Sequence, residues 1–134
     1  MAGFVISGTD FYPAIIFNPE ENIFAIRGIS TPENGKEFYK PVISWLEVYA
    51  ERPNHETELL IDLEYFNLST SKALLFMFYL LSEMHEAGKR VKVTWCYRDA
   101  YILSAGRDYA FMVKIPFEFR KASSFDHRLH EAEA

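Results

Sequence analysis

The sequence predicts an α/β fold, a single domain built on a mixed sheet of four to five strands flanked by helices. Three observations predict it. Short apolar runs of strand length alternate with longer stretches of helical spacing. The succession strand, helix, strand over 59 to 97 has the form of a βαβ unit, whose crossover is expected to be right-handed. A chain of 134 residues is long enough for one core that stands without disulfide or metal support.

Ala14 to Asn18 is a short apolar run that ends in the polar turn Asn18-Pro19-Glu20-Glu21-Asn22, and Ile23 to Arg27 resumes the strand pattern, so the pair reads as a hairpin. After Gly28, Thr31 is placed to cap a helix and Pro32 to occupy its first position, where a missing N–H costs nothing. Tyr39, Val42, Ile43, Leu46 and Tyr49 follow at helical spacing. Pro41 stands inside that pattern and is expected to kink the helix or divide it in two. Glu58 to Tyr65 is nearly continuous in apolar residues, as a central strand covered on both sides requires. The polar turn from Asn67 to Ser71 supplies caps for the next helix, which runs through Leu74, Phe78, Leu81 and Met84 and stops at Gly88. Val91 to Tyr97 is the next strand, Asp99 to Tyr109 a short helix, and Val113 to Phe119 a terminal strand that Pro116 confines to an edge. The domain is assigned to residues 1–122. Residues 123–134 lack apolar periodicity and are expected to form a flexible C-terminal tail.

Composition narrows the function classes. A net charge of −5 argues against general attraction to nucleic acid or an anionic membrane. The apolar run from 73 to 81 is far short of the roughly 20 residues that span a bilayer, and the N-terminus has no basic region ahead of a long apolar stretch. One cysteine, Cys96, allows neither an internal disulfide nor a thiolate zinc cluster. These features predict a soluble cytoplasmic protein with no membrane insertion.

No phosphate-binding glycine loop occurs. His55 reads as a loop residue, and His85, His127 and His130 do not form a metal site. Cys96 reads as a small buried hydrophobe. Asp62 and Glu64 share one side of a strand, where a solvated or salt-bridged strand end explains them better than paired catalytic carboxylates. No catalytic residue, metal or cofactor is therefore assigned. The hydroxyl cluster Ser69, Thr70 and Ser71 is more informative. N-capping explains at least one of the three, and a phosphate in the first turn of a helix meets the positive end of the helix dipole while adding roughly 1.5 to 2 negative charges to the surface. Phe76, Met77, Phe78 and Tyr79 cover the whole circumference of their helix, so one of them must face something besides the main core. A homodimer interface or, as an alternative function, a pocket for a small molecule or lipid would satisfy that surface.

Five segments in order carry a family resemblance: Tyr12 to Phe17; Thr31-Pro32-Glu33-Asn34 with Phe38 to Leu46; Leu63 to Asn67 leading to Ser71-Lys72; Val93 to Tyr97; and Lys114 to Phe117. Together they resemble the SiaC-type regulatory phosphoproteins, a bacterial family with a fold like that of the anti-anti-sigma-factor (STAS) domains. The resemblance implies a STAS-like regulatory domain and a non-enzymatic switch. A Ser/Thr kinase would phosphorylate the hydroxyl turn, with Ser69, Thr70 and Ser71 as candidate acceptors, and a PP2C-type phosphatase would reverse it. The unmodified form would dock on a target such as a diguanylate cyclase, linking the switch to cyclic-di-GMP and biofilm control. Pro32, Glu33, Asn34, Asn67, Leu68 and Lys72 are the implied partner-binding residues. The family turn usually reads Asn-Thr-Ser-Ser-Ser-Lys, and Leu68 stands here in place of its first threonine. Arg98-Asp99-Ala100-Tyr101 stands where the family usually has an acidic loop.

Overall fold

The computed structural model describes residues 1–122, so the expectation for the tail at 123–134 lies outside the described residues. The elements follow in the order β1 (Phe4–Ile6), β2 (Ala14–Asn18), β3 (Ile23–Ser30), α1 (Gly35–Glu51), β4 (Glu56–Phe66), α2 (Leu68–Glu86), β5 (Arg90–Tyr97), α3 (Ala100–Val113) and β6 (Phe117–Lys121). They form one six-stranded sheet in sequential order. β1, β2 and β3 pair antiparallel, and β3 through β6 are parallel.

The sheet is mixed and flanked by helices, with six strands where four to five were expected. The extra one is β1. Its three residues carry too short a pattern to read as a strand, and it is held by pairing Phe4 with Phe17 and Ile6 with Ile15. The helix near the C-terminus runs on to Val113 and the last strand starts at Phe117 rather than Val113. Lys114 in the left-handed conformation ends that helix, and Pro116 stands just ahead of the edge strand, its carbonyl accepting from Val93 N–H at 2.9 Å.

One detail of α1 differs from expectation, and of the two outcomes expected at Pro41, division of the helix does not occur. Its N-cap is Asn34, whose side chain accepts from Glu37 N–H, and Thr31 instead bonds the carbonyl of Phe11 through its backbone and side chain. Pro41 sits inside an undivided helix of 17 residues. It lies on the exposed side, as does Glu37 four residues earlier, whose carbonyl is the one Pro41 cannot serve.

Each helix joins two neighbouring parallel strands, and α1 packs on α2 and α2 on α3, which places all three on one face. The core lies between that face and the sheet. Ile15, Phe17, Phe24, Ile26, Leu59, Ile61, Leu63, Val93 and Trp95 come from the strands; Tyr39, Val42, Leu46 and Tyr49 come from α1; and Leu74, Met77, Phe78 and Leu81 come from α2. Gly106 lets α3 approach the Trp95 ring, since a Cβ there would stand 2.5 Å from the indole. Trp95 Nε1–H donates to the carbonyl of Ile102 at 2.8 Å.

Register on the other face sets Arg27 beside Asp62 and Cys96 beside Arg120. Asp62, only 3% exposed, accepts from Arg98 at 2.8 Å, which agrees with the salt-bridged reading over a catalytic pair. Cys96 is buried. Burial and then the charge of Asp62 push its thiol up to about 11, against the pull of the nearby arginines.

A bulge between β3 and β4 shapes the end of the sheet that leads into the two turns. Gly28 pairs with Leu63 and Ile29 with Tyr65, leaving Glu64 as the additional residue. Gly28 takes φ +105°, a conformation costly for a residue with a Cβ. The slip lets Phe66 turn inward to meet Trp95 at 6.0 Å, while Tyr65 is exposed. It also delivers Asn67 to the end of β3.

Candidate functional site: the joined turns at the helix N-termini

The turn after β3 and the turn after β4 are one structure. Asn67 N–H donates to the carbonyl of Ser30 at 3.1 Å, and Asn67 Nδ2 donates to the carbonyl of Pro32 at 3.0 Å. The same side chain caps α2, its Oδ1 accepting from Thr70 N–H at 3.1 Å and from Ser69 Oγ at 3.0 Å. Its carbonyl also accepts from Ser71 N–H at 3.0 Å, so one residue ties the end of β3 and the Pro32-Glu33-Asn34 turn to the hydroxyl turn. Asn34 performs the equivalent cap for α1, accepting from Glu37 N–H at 3.1 Å and donating to the Glu37 carboxylate at 3.1 Å.

The first residue of α1 touches the second residue of α2. A Cβ on Gly35 would stand 2.1 Å from Ser69 Oγ and 2.5 Å from Ser69 Cβ, so only glycine allows the two N-termini to lie this close. Two positive helix ends consequently open onto one small surface. That arrangement tolerates negative charge and brings Asn34, Asn67 and the exposed Leu68 together.

The three hydroxyls differ sharply in environment. Thr70 is 0% exposed. Its Oγ1 donates to the carbonyl of Ser30 at 3.0 Å and lies 2.7 Å from Ser30 Oγ, which lies 2.6 Å from Tyr39 Oη. Because the Thr70 proton is committed to the carbonyl, Ser30 donates to Thr70 and Tyr39 donates to Ser30, giving one directed chain. Burial raises the Tyr39 pKa and its bonds to Ser30 and Thr70 pull the other way. Ser69 and Ser71 are half-buried. Ser71 Oγ donates to the Leu68 carbonyl at 2.6 Å, and the Ser71 carbonyl accepts from Tyr109 Oη at 2.8 Å. Burial pushes the Tyr109 hydroxyl up to about 12, against a smaller opposite pull from the Ser71 side chain.

Of the partner-binding residues expected from the sequence, Glu33, Asn34, Leu68 and Lys72 are exposed, Asn67 is half-buried and Pro32 is buried. Leu68 stands out at 71%. Lys72 lies a turn further along α2, on its outer face. Ser30, Gly35, Tyr39 and Tyr109 complete the site and were not anticipated. Tyr39 and Tyr109 have the spacing of ordinary core residues, and nothing local marks their hydroxyls as polar links. Among the described residues no group of three or more His, Cys, Asp or Glu is placed to hold a metal ion.

The comparison with known proteins matches this geometry along nearly the whole chain. An uncharacterised protein of Pseudomonas aeruginosa strain UCBPP-PA14 is 31% identical over 125 residues, which are 93% of each chain. The crystal structure of apo-SiaC from Pseudomonas aeruginosa superposes with a TM-score of 0.83 at 29% identity, covering 90% of this chain and 99% of that one. A crystal structure of the diguanylate cyclase SiaD in complex with its activator SiaC, from the same organism, includes a chain that superposes with a TM-score of 0.82 at 28% identity, covering 89% of this chain and 99% of that one. The pattern of the SiaC family regulatory phosphoproteins matches residues 6–122. On that match the chain belongs to the SiaC family of regulatory phosphoproteins, a family of regulators and not of enzymes.

Proposed function

We propose that this protein is a cytoplasmic signalling adaptor that docks on and activates a diguanylate cyclase, with the joined turns as its docking surface and a reversible phosphate on the hydroxyl turn as its control. One observation carries the reading. Asn67 makes a single surface of the Pro32-Glu33-Asn34 turn and the Ser69 to Ser71 turn, and the relative of the same fold is an activator bound to a cyclase. Leu68 supplies an apolar anchor at the centre of that surface, with the amides and carboxamides of the two caps around it.

A Ser/Thr kinase transfers the terminal phosphoryl group of ATP to Ser69 or Ser71, and a PP2C-type phosphatase hydrolyses it. Thr70 is the least suitable of the three, because its oxygen is sealed in the chain to Ser30 and Tyr39. A phosphate on Ser69 or Ser71 is held in the first turn of α2, where the dipole favours it. The helix survives, and the charge and bulk beside Leu68 oppose an apolar partner.

Two measurements test the reading. Addition of the unmodified protein to the partner cyclase should raise cyclic-di-GMP formation, and Leu68→Asp should abolish that rise while leaving the circular dichroism unchanged. Incubation with the cognate kinase and ATP should add a phosphoryl group that Ser69→Ala combined with Ser71→Ala prevents. No cyclase response removes the adaptor reading, and no added mass removes the switch while leaving constitutive docking.

A further inference from the structure

We propose that a second copy of this chain covers the outer face of α1 and α2, forming a two-fold symmetric dimer in which each helix crosses its own counterpart antiparallel. α2 is apolar on its outer side as well as its inner one: Phe76 is 52% and Tyr79 48% exposed, while Met77 and Phe78 are buried. A helix with apolar residues all round requires cover on both sides.

The charges on this face identify the occupant. Lys72 near the start of α2 and Glu83 near its end lie on the same outer stripe as Phe76 and Tyr79. Each is placed against the helix dipole, which favours acids at the start and bases at the end. The midpoint of Lys72 and Glu83 coincides with the midpoint of Phe76 and Tyr79. A two-fold axis there sets Lys72 against Glu83 of the other copy, and Phe76 against Tyr79 of the other copy, twice each.

α1 repeats the pattern at the same level. Lys36 pairs with Glu51 and Lys40 with Glu47 about one common midpoint, and all four are exposed. The two helices run in the same direction, since each returns between neighbouring parallel strands, and the Gly35–Ser69 contact aligns their starts. Both midpoints fall between eight and nine residues beyond that contact, so one axis serves both helices. Antiparallel crossing brings the basic half of this face over the acidic half of its copy; parallel crossing would set like charges together. Helices of 17 and 19 residues are about 25 Å long, and two side by side offer about 500 Å² per copy, near the roughly 1,000 Å² total of a specific interface. The contact begins at Lys36 and Lys72, two and five residues beyond Asn34 and Asn67, and leaves Asn34, Asn67 and Leu68 outside it; Lys72 is shared with the docking residues expected from the sequence, so dimerisation is measured on this chain alone, without a cyclase.

Sedimentation equilibrium and native mass spectrometry of the full chain test the arrangement. A concentration-dependent dimer that weakens with added salt is expected. Lys72→Glu and Glu83→Lys should each raise the dissociation constant about tenfold, because every reversal occurs twice across the axis. The double variant Lys72→Glu with Glu83→Lys should return it to within about threefold of wild type. These positions are exposed, so circular dichroism is expected to match wild type for all three variants. A chain monomeric up to about 1 mM, a monomer retaining a small molecule, or a dimer that the double reversal does not restore would overturn the proposal.

Discussion

Thr70→Val tests the directed hydroxyl chain at its most buried point. Valine matches the shape of threonine, so the substitution leaves packing nearly unchanged and removes two bonds, the donation to the Ser30 carbonyl and the acceptance from Ser30 Oγ. The carbonyl keeps its bond from Asn67 N–H and Ser30 Oγ keeps Tyr39. Neither group is orphaned, which limits the loss to about 2 kcal/mol at ~1 kcal/mol per neutral bond. For a chain of this size that lowers the melting temperature by about 5–10 °C. Ser30→Ala should cost a similar amount, and the double variant should fall short of the sum by about 1 kcal/mol, because both single changes break the same bond. Urea unfolding of the four proteins measures all of these. A Thr70→Val loss below about 0.5 kcal/mol, or strict additivity, would refute the chain as a coupled unit. The variant also separates structure from signalling: it should still accept phosphate from the kinase, and failure to do so would identify Thr70 as the acceptor and refute the argument from burial.

Gly106→Ala should destabilise the protein by about 1–3 kcal/mol and alter its tryptophan fluorescence, since the new methyl group would meet the Trp95 ring at 2.5 Å; urea unfolding followed by fluorescence reports both. Cys96 should resist a thiol reagent at neutral pH in the native protein and react at once in denaturant. Its thiol, pushed up to about 11 from 9.0, is protonated more readily in the folded state, so the contribution to stability is complete below pH 9 and is lost as pH rises from about 9 to 11. Unfolding measured across that interval should show stability falling with pH, and Cys96→Ala should flatten that part of the profile.

The succession of elements was legible because it rests on long runs with one period. The apolar stretch from Glu58 to Tyr65 and the capped helix after Asn67 each state their type locally, and α2 and β4 lie close to where the pattern put them. The departures arise where a tertiary partner decides. β1 is a strand because β2 offers it an edge, and three residues cannot announce that. Thr31 looked like a cap and became the anchor of the Phe11 loop, leaving the role to Asn34.

The site was legible as two separate turns, and its meaning comes from their union. Sequence chemistry alone made Ser69, Thr70 and Ser71 equivalent caps or acceptors. Their difference is set by neighbours far along the chain: Ser30 and Tyr39 bury the middle hydroxyl, Gly35 crowds the first, and Tyr109 holds the backbone of the third. These neighbours come from three elements, Ser30 from β3, Gly35 and Tyr39 from α1 and Tyr109 from α3, so the hydroxyl turn senses the placement of all three at once. Asn67 explains why the motifs before each helix belong to one pattern, since it caps one helix while holding the turn that starts the other. A change at either turn is therefore transmitted to the other through Asn67, and the proposed control of docking by a phosphate rests on that coupling.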